Sequence, residues 1–409
     1  MTADRAGARL FRLSIGVFFF GGFLTSLISL LVPRLQLLFD LGYARALLVQ
    51  LSFHASYLLF ALPILAVIVR AGYMRSIATG LAVMVAGCLG LIYTQFAPNF
   101  TAVLAALLLL SGGITFLQIA SNAVVTVAAP AQQAAARLTL LQGFNSLGTV
   151  LGPLLCAQFL LPDASGNFTR AGADAVVVPF IVSGAALALL SVGFALNRDM
   201  LGPVAHMRLP ASRYLPLFLA DRRLQLGTAA IFVYVGAEVT IGTLLTNYLM
   251  QPTILDAAPV TAGRMVALYW GGAMVGRFAG AWLMRRWSAA AMLVAVALGA
   301  TVLTASGALG YGLPGAIALL AVGLCNAIMY PTIFALALPD DPKLTPIAAT
   351  FLCVAVVGGA IIPYLTGLLA DRLGLGPSLL LPAACYLGIA GFAWSCLAMR
   401  RASARIALS

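Results

Sequence analysis

Charged residues are scarce in this 409-residue chain: they make up 8% of the sequence, whereas 62% of the residues are hydrophobic. A soluble domain carries about 25% charged residues, so the composition excludes a soluble protein and indicates a membrane protein. Common catalytic motifs such as HExxH, CxxC and a phosphate-binding loop are missing. No loop between apolar runs exceeds about thirty residues, which is too short for a catalytic domain. We therefore expect no enzymatic activity.

The spacing of the cysteines indicates neither disulfide bonds nor a metal site, and the placement of the charges indicates no nucleic-acid partner. The six cysteines lie inside apolar runs without CxxC spacing, which predicts neither a disulfide framework nor a metal site. The net charge of +12 comes from short basic clusters between apolar runs, with no aromatic-interleaved patch. These clusters are typical of topology signals in a lipid bilayer, so we expect no nucleic acid and no cofactor.

Apolar runs long enough to cross a bilayer, about 20 residues each, occur twelve times. They lie at 11–33, 46–69, 76–96, 101–128, 137–161, 175–197, 226–250, 262–284, 289–310, 314–337, 346–369 and 378–399. The longest polar interruption divides them six and six. The sequence thus predicts an all-α membrane protein with two pseudo-symmetric six-helix bundles, 1–197 and 226–409, joined by a linker at 198–225. Such a parallel repeat is typical of transporters.

The basic residues concentrate on one side of the predicted spans. If twelve spans alternate, the arginines before the first span, those of the linker and those of the C-terminal tail share one side. The positive-inside rule then places both termini and the linker in the cytoplasm.

Uncharged amides form the main candidate binding site. Gln118 and Asn122 are spaced i, i+4 and Gln142 and Asn145 are spaced i, i+3, so each pair shares a helix face. An amide offers two donors and an acceptor, which suits a ligand made of hydroxyl groups. In the second half, Asn247, Asn326 and the aromatic Trp270 are further candidates. Each of these amides also fits interhelical packing.

Three of the ionisable residues inside predicted spans are candidates for coupling or gating. Glu238, the only glutamate, lies near the middle of span 7. A charge there costs about 2.5–3.5 kcal/mol on insertion scales, so Glu238 either binds a cation or substrate or forms a fixed ion pair with Arg277 or Arg264. Arg277 lies near enough to the cytoplasmic end of span 8 for its side chain to snorkel to the surface, so it is a candidate for a gate, for packing or for substrate contact. His54 is either a proton relay or a neutral core residue.

Five stretches resemble the family of the L-fucose permease and the glucose/galactose transporters, within the major facilitator superfamily. They are FLQIASN (116–122), RLTLLQGFNSLG (137–148), YVGAE (234–238), YWGGAMVGRF (269–278) and YPTIF (330–334). The resemblance extends from about 18 to 374. It implies two six-helix bundles, alternating access and uptake of a monosaccharide across the bacterial inner membrane, typically with protons.

Two departures from this family affect ion coupling. The aspartate that the family presents in span 1 as its presumed proton carrier is replaced by Ser29, which cannot exchange a proton at physiological pH. The carboxylate of span 4 in the fucose permease is replaced by Gln118, as in the glucose/galactose branch. Three hypotheses remain: passive facilitation, proton coupling through Glu238 or His54, and sodium coupling through Glu238 and backbone carbonyls.

The sequence and the resemblance together predict a monomeric transporter for glucose or a similar hexose, such as galactose or fucose. The binding residues would be the six amides and Trp270, with Glu238, His54, Ser29 and Arg277 in coupling or gating. The alternative is a proton antiporter for multidrug or lipophilic-cation export, which the many uncharged amides do not favour.

Overall fold

The computed structural model describes residues 3–127, 131–162, 174–198, 214–284, 286–339 and 345–406, and these residues are helical apart from short turns. Each predicted span coincides with a helix or with a pair of consecutive helices. The helices are α1 (Ala3–Phe39), α2 (Tyr43–Ala46), α3 (Leu48–Ala71), α4 (Tyr73–Phe96), α5 (Phe100–Val127), α6 (Ala131–Leu160), α7 (Asp174–Leu196), α8 (Tyr214–Ala220), α9 (Arg222–Leu249), α10 (Pro259–Leu283), α11 (Ala289–Leu309), α12 (Gly312–Asn326), α13 (Met329–Ala337), α14 (Thr345–Val354), α15 (Gly358–Leu373), α16 (Leu375–Ser378) and α17 (Leu380–Ile406).

Ten helical segments within the described ranges are long and apolar enough to cross a membrane. The prediction of an all-α membrane protein is therefore confirmed. The linker predicted at 198–225 falls largely on 199–213, outside the described residues. Its last part forms α8 and the start of α9.

Two predicted spans are broken rather than continuous. Span 10, predicted as 314–337, divides into α12 and α13 at Ala327 and Ile328. The cause is Pro331, which has no N–H to bond the carbonyl of residue 327 and whose ring would clash with it in a continuous helix. In the first turn of α13 the missing N–H costs nothing. Span 11 is divided by a 3-10 turn at Ala355–Val357.

The chain forms two compact units that do not follow the chain in simple halves. The first unit contains Met1–Asp40, Ser52–Met207 and Ala258–Ala267, and the second contains Leu41–Leu51, Arg208–Ala257 and Leu268–Ser409. The bundles predicted at 1–197 and 226–409 stay a prediction.

Glycines let helices cross closely within each unit. In the first unit, a Cβ on Gly148 of α6 would lie 2.2 Å from the carbonyl oxygen of Phe19 in α1. In the second unit, a Cβ on Gly323 of α12 would lie 2.0 Å from the carbonyl oxygen of Tyr269 in α10. Small residues at such crossings allow backbone-to-backbone approach where lipid offers no hydrophobic driving force.

Candidate functional site

The amides predicted as ligands in the first unit lie on α5 and α6, which pack against each other. The side chains of Gln118 and Gln142 are exposed. Asn145 is half-buried and donates from Nδ2 to the carbonyl oxygen of Phe18 at 3.0 Å. Asn122 lies in α5, but its side chain is outside the described residues. Gln118 and Gln142 are therefore available to a ligand, whereas Asn145 also ties α6 to α1.

A buried hydroxyl network joins α3 to α5. The Ser56 hydroxyl lies 2.5 Å from the hydroxyl of Ser111 and 3.1 Å from that of Thr115. Ser111 also donates to the carbonyl oxygen of Phe53. These bonds satisfy hydroxyl groups that would be costly to leave unpaired in an apolar interior. They fix α5, and with it Gln118, against α3.

His54 lies beside this network in α3. Its side chain is buried. The centroid of its ring lies 5.1 Å from that of Phe53, edge-on, and 6.1 Å from that of Tyr57, in a stacked arrangement. Ser29 is buried in α1, one helical turn before Pro33. Ser29 and His54 belong to the first unit, and Glu238 belongs to the second.

The second unit holds a polar cluster around Glu238 in α9. We call Glu238, Tyr234, Tyr269, Asn326 and Tyr386 the Glu238 cluster. Its members come from α9, α10, α12 and α17. Glu238 is half-buried, whereas the other four are almost completely buried. Polar residues of four helices therefore lie together in the second unit.

Hydrogen bonds connect the Glu238 cluster across helices. Asn326 donates from Nδ2 to the hydroxyl of Tyr269 at 2.7 Å. The Tyr269 hydroxyl donates to the backbone carbonyl of Glu238 at 3.1 Å. The Tyr234 hydroxyl donates to the backbone carbonyl of Asn326 at 3.1 Å. The structure thus unites Glu238 and Asn326, for which the sequence predicted different roles.

Trp270 and Asn247 lie in the same unit with different neighbours. Trp270 is half-buried, and the centroid of its ring lies 5.0 Å from that of Tyr269 in an edge-on arrangement. Gly242 makes room for it, since a Cβ there would lie 3.0 Å from Cζ2 of Trp270. Asn247 is half-buried and follows Glu238 by nine residues, about 13 Å along α9. Trp270 therefore borders the Glu238 cluster, and Asn247 does not.

Arg277 lies on α10 with an exposed side chain, two turns beyond Trp270. The fixed ion pair of Glu238 with Arg277 or Arg264 stays a prediction.

The candidates predicted from the sequence did not include the three tyrosines of the Glu238 cluster. Tyr234 and Tyr269 stand in stretches that resemble the family, whereas Tyr386 lies outside those stretches, fully buried in the apolar helix α17. Its hydroxyl has no hydrogen-bond partner within the described residues. A lone tyrosine in an apolar run gives no periodic signal, so nothing in the sequence could have identified Tyr386.

Comparisons with known proteins give a consistent relationship. The profile described as "Major Facilitator Superfamily" matches residues 13–343. The chain is 38% identical over 383 residues to the glucose/galactose transporter of Brucella abortus, covering 91% of this chain and 90% of the relative. It is 34% identical to the putative glucose/galactose transporter of Helicobacter pylori, covering 92% of this chain and 94% of the relative. A crystal structure of the E. coli fucose:proton symporter matches with a TM-score of 0.70 at 25% identity, covering 94% of this chain and 98% of that chain.

Proposed function

The chain belongs to the Major Facilitator Superfamily, in the family of the glucose/galactose transporters and the fucose–proton symporter, and we propose that it carries a hexose across the bacterial inner membrane. It is a membrane transporter, not an enzyme. The observation that carries the proposal is likeness over nine-tenths of both chains to a transporter named for glucose and galactose. Identity to the fucose:proton symporter of E. coli is lower, at 25%, so glucose or galactose is the substrate we infer.

The sugar would bind through amides on α5 and α6. Gln118 and Gln142 present exposed side chains on packed helices. Each amide both donates and accepts, as does each sugar hydroxyl, so the bonds lost to water are replaced. Asn145 would contribute its oxygen, since its nitrogen already donates to Phe18. Asn122, Asn247, Asn326 and Trp270 remain proposals for the same ligand.

Transport would follow alternating access, with the sugar site reached from one side of the membrane at a time. Concentration of basic residues at both predicted termini and the linker supports a cytoplasmic location for these segments. We infer uptake as the physiological direction, and a monomer as the working unit.

Counterflow of labelled glucose into proteoliposomes tests the substrate and the site together. Gln142→Ala removes an exposed amide from α6, and we expect counterflow to fall about tenfold or more because a sugar hydroxyl loses its partner. Unlabelled galactose should compete better than fucose.

Gln95→Ala is the matched control, because Gln95 is a half-buried glutamine near the end of α4 that bonds within its own helix. Its counterflow should equal that of the wild type. Equal counterflow in Gln142→Ala would contradict the proposed site. Transport of a lipophilic cation without sugar counterflow would contradict the substrate and favour the antiporter alternative.

A further inference from the structure

Two adjacent glycines of α1, Gly21 and Gly22, have different surroundings. A Cβ on Gly22 would clash with the backbone carbonyl oxygen of Asn145, so glycine is needed there for α1 to cross α6. Among the described residues of the other helices, a Cβ on Gly21 would meet one atom within 4 Å, Nδ2 of Asn145 at 3.7 Å. That separation is an ordinary van der Waals contact. Packing therefore requires glycine at position 22 and does not require it at position 21.

Glycine at position 21 weakens α1 without serving the helix crossing. Glycine is a poor residue for the interior of a helix, and alanine is the best. An alanine at this position would fit against Asn145 and would stabilise the helix. Glycine also occurs where a ligand must approach the backbone closely. The open space at Gly21 therefore points to a function in binding.

The space at Gly21 borders the proposed sugar site. Its one neighbour on α6 is the amide of Asn145. Gln142, whose side chain is exposed, lies three residues before Asn145 and shares its helix face. A ligand that bonds to these two amides lies beside the bare backbone of Gly21.

The polar atoms next to this space are placed to accept hydrogen bonds. Asn145 donates from Nδ2 to the carbonyl oxygen of Phe18 at 3.0 Å, which fixes the amide and leaves Oδ1 to accept. Thr25, one turn along α1 from Gly21, donates its single hydroxyl hydrogen to the carbonyl oxygen of Gly21 at 2.8 Å. The Thr25 oxygen can then only accept. A group that fits here must be small and must donate, as a sugar hydroxyl does and a lipophilic cation does not.

We propose that Gly21 is a specificity-determining residue of the sugar site, whose bare backbone leaves room beside Asn145 for one hydroxyl-bearing edge of the hexose ring. The inference rests on the proposed sugar transport and adds the residue that limits the size of the substrate. A side chain at position 21 occupies the room of that edge, so it excludes the hexose without disturbing the crossing of α1 and α6.

Gly21→Leu tests whether the space holds the sugar. Leucine is a good helix former, so the unfolding temperature in detergent should stay within about 1 °C of the wild type. We expect binding of labelled glucose by the purified full chain, and counterflow in proteoliposomes, to fall about tenfold or more. Gly388→Leu is the matched control, because Gly388 is exposed on α17 and a Cβ there meets no atom within 4 Å. Its binding and counterflow should equal those of the wild type.

Gly21→Ala tests specificity with the addition of a single methyl group. The competitors are glucose, deoxyglucoses that each lack one hydroxyl, and xylose, which lacks the hydroxymethyl group. A sugar without the group that faces Gly21 should be spared by the substitution, so at least one truncated sugar should gain about threefold or more over glucose in competition. A purely structural effect would weaken all of these sugars equally.

Gly22→Ala is the structural comparison. Its Cβ meets the backbone of α6, so we expect the unfolding temperature to fall by about 3 °C or more. Wild-type glucose binding in Gly21→Leu, or equal losses for glucose and every truncated sugar in Gly21→Ala, would overturn the role of Gly21. Either result, together with lost counterflow in Gln142→Ala, would leave the proposed sugar transport intact. Absence of sugar counterflow in the wild type would instead refute the proposed function.

Discussion

Amide side chains of the same chemistry have different roles that depend on their surroundings. Gln142 is exposed on α6, Asn145 donates to the carbonyl of Phe18, and Asn326 is buried in the Glu238 cluster. The sequence placed all three amides in spans, since an amide interrupts an apolar run. It could not distinguish them, because a role in packing or in ligand binding depends on which neighbouring helix each side chain meets.

Asn145→Ala and Gln142→Ala are predicted to differ in their effect on stability, because Asn145 bonds to another helix and Gln142 is exposed. The substitution of Asn145 removes the bond that it adds to the Phe18 carbonyl, which also accepts within α1, a loss of about 1 kcal/mol. We expect the unfolding temperature in detergent to fall by roughly 2–4 °C. Gln142→Ala, whose side chain is exposed, should unfold within about 1 °C of the wild type. A larger loss in Gln142→Ala than in Asn145→Ala would reverse the two assignments.

At the element scale, span positions were predictable and their interruptions were not. Each membrane span contributes about 20 apolar residues, and the hydropathy of the sequence identifies such runs directly. Pro331 was visible within span 10, yet a proline in a membrane helix can be tolerated as a kink. Pro33 and Pro153 lie inside α1 and α6. At the break before Pro331, the Tyr234 hydroxyl of another helix donates to the carbonyl of Asn326, and the sequence does not identify such a partner.

We predict that alanine at the crossing of α1 and α6 destabilises the fold, whereas alanine at a second glycine of α6 does not. Gly148→Ala places a Cβ against the carbonyl of Phe19 at 2.2 Å, so the helices must separate. Overpacking of this kind costs about 1–3 kcal/mol. A Cβ on Gly143 meets no atom within 4 Å, so Gly143→Ala should be neutral or stabilise α6 by up to about 1 kcal/mol. Thermal unfolding in detergent measures both, and equal effects would contradict the close crossing.

At the scale of the whole molecule, the two units exchange short segments. The segment Leu41–Leu51 belongs to the second unit although the chain on both sides of it belongs to the first. The segment Ala258–Ala267 belongs to the first unit although its neighbours belong to the second. In the predicted repeat of six and six spans, both lie at the connection between the first two spans of a half. The sequence indicated the repeat, but contacts between residues more than 300 positions apart were not readable from it.

Asp371 at the end of α15 holds the first of these segments. Its carboxylate oxygens accept from the backbone N–H groups of Tyr43 and Ala44 at 2.6 and 3.0 Å, at the start of α2. In addition, Gln50 donates to the hydroxyl of Thr243 at 2.8 Å in a buried position. Burial and the charge of Asp371 raise the pKa of the Tyr43 hydroxyl, so Tyr43 stays neutral at physiological pH and does not repel the carboxylate.

Asp371→Ala therefore releases two backbone donors at once. Hydrogen bonds to ionised groups contribute about 1.5–3 kcal/mol, so amide exchange at 41–46 should accelerate about tenfold or more if local opening controls it. Hydrogen–deuterium exchange with mass spectrometry of the protein in detergent measures this directly. Arg372→Ala, at the next exposed position of α15, keeps the carboxylate and should leave exchange unchanged. Equal exchange in both variants would mean that Gln50 and the apolar contacts of α2, rather than Asp371, hold the segment in the second unit.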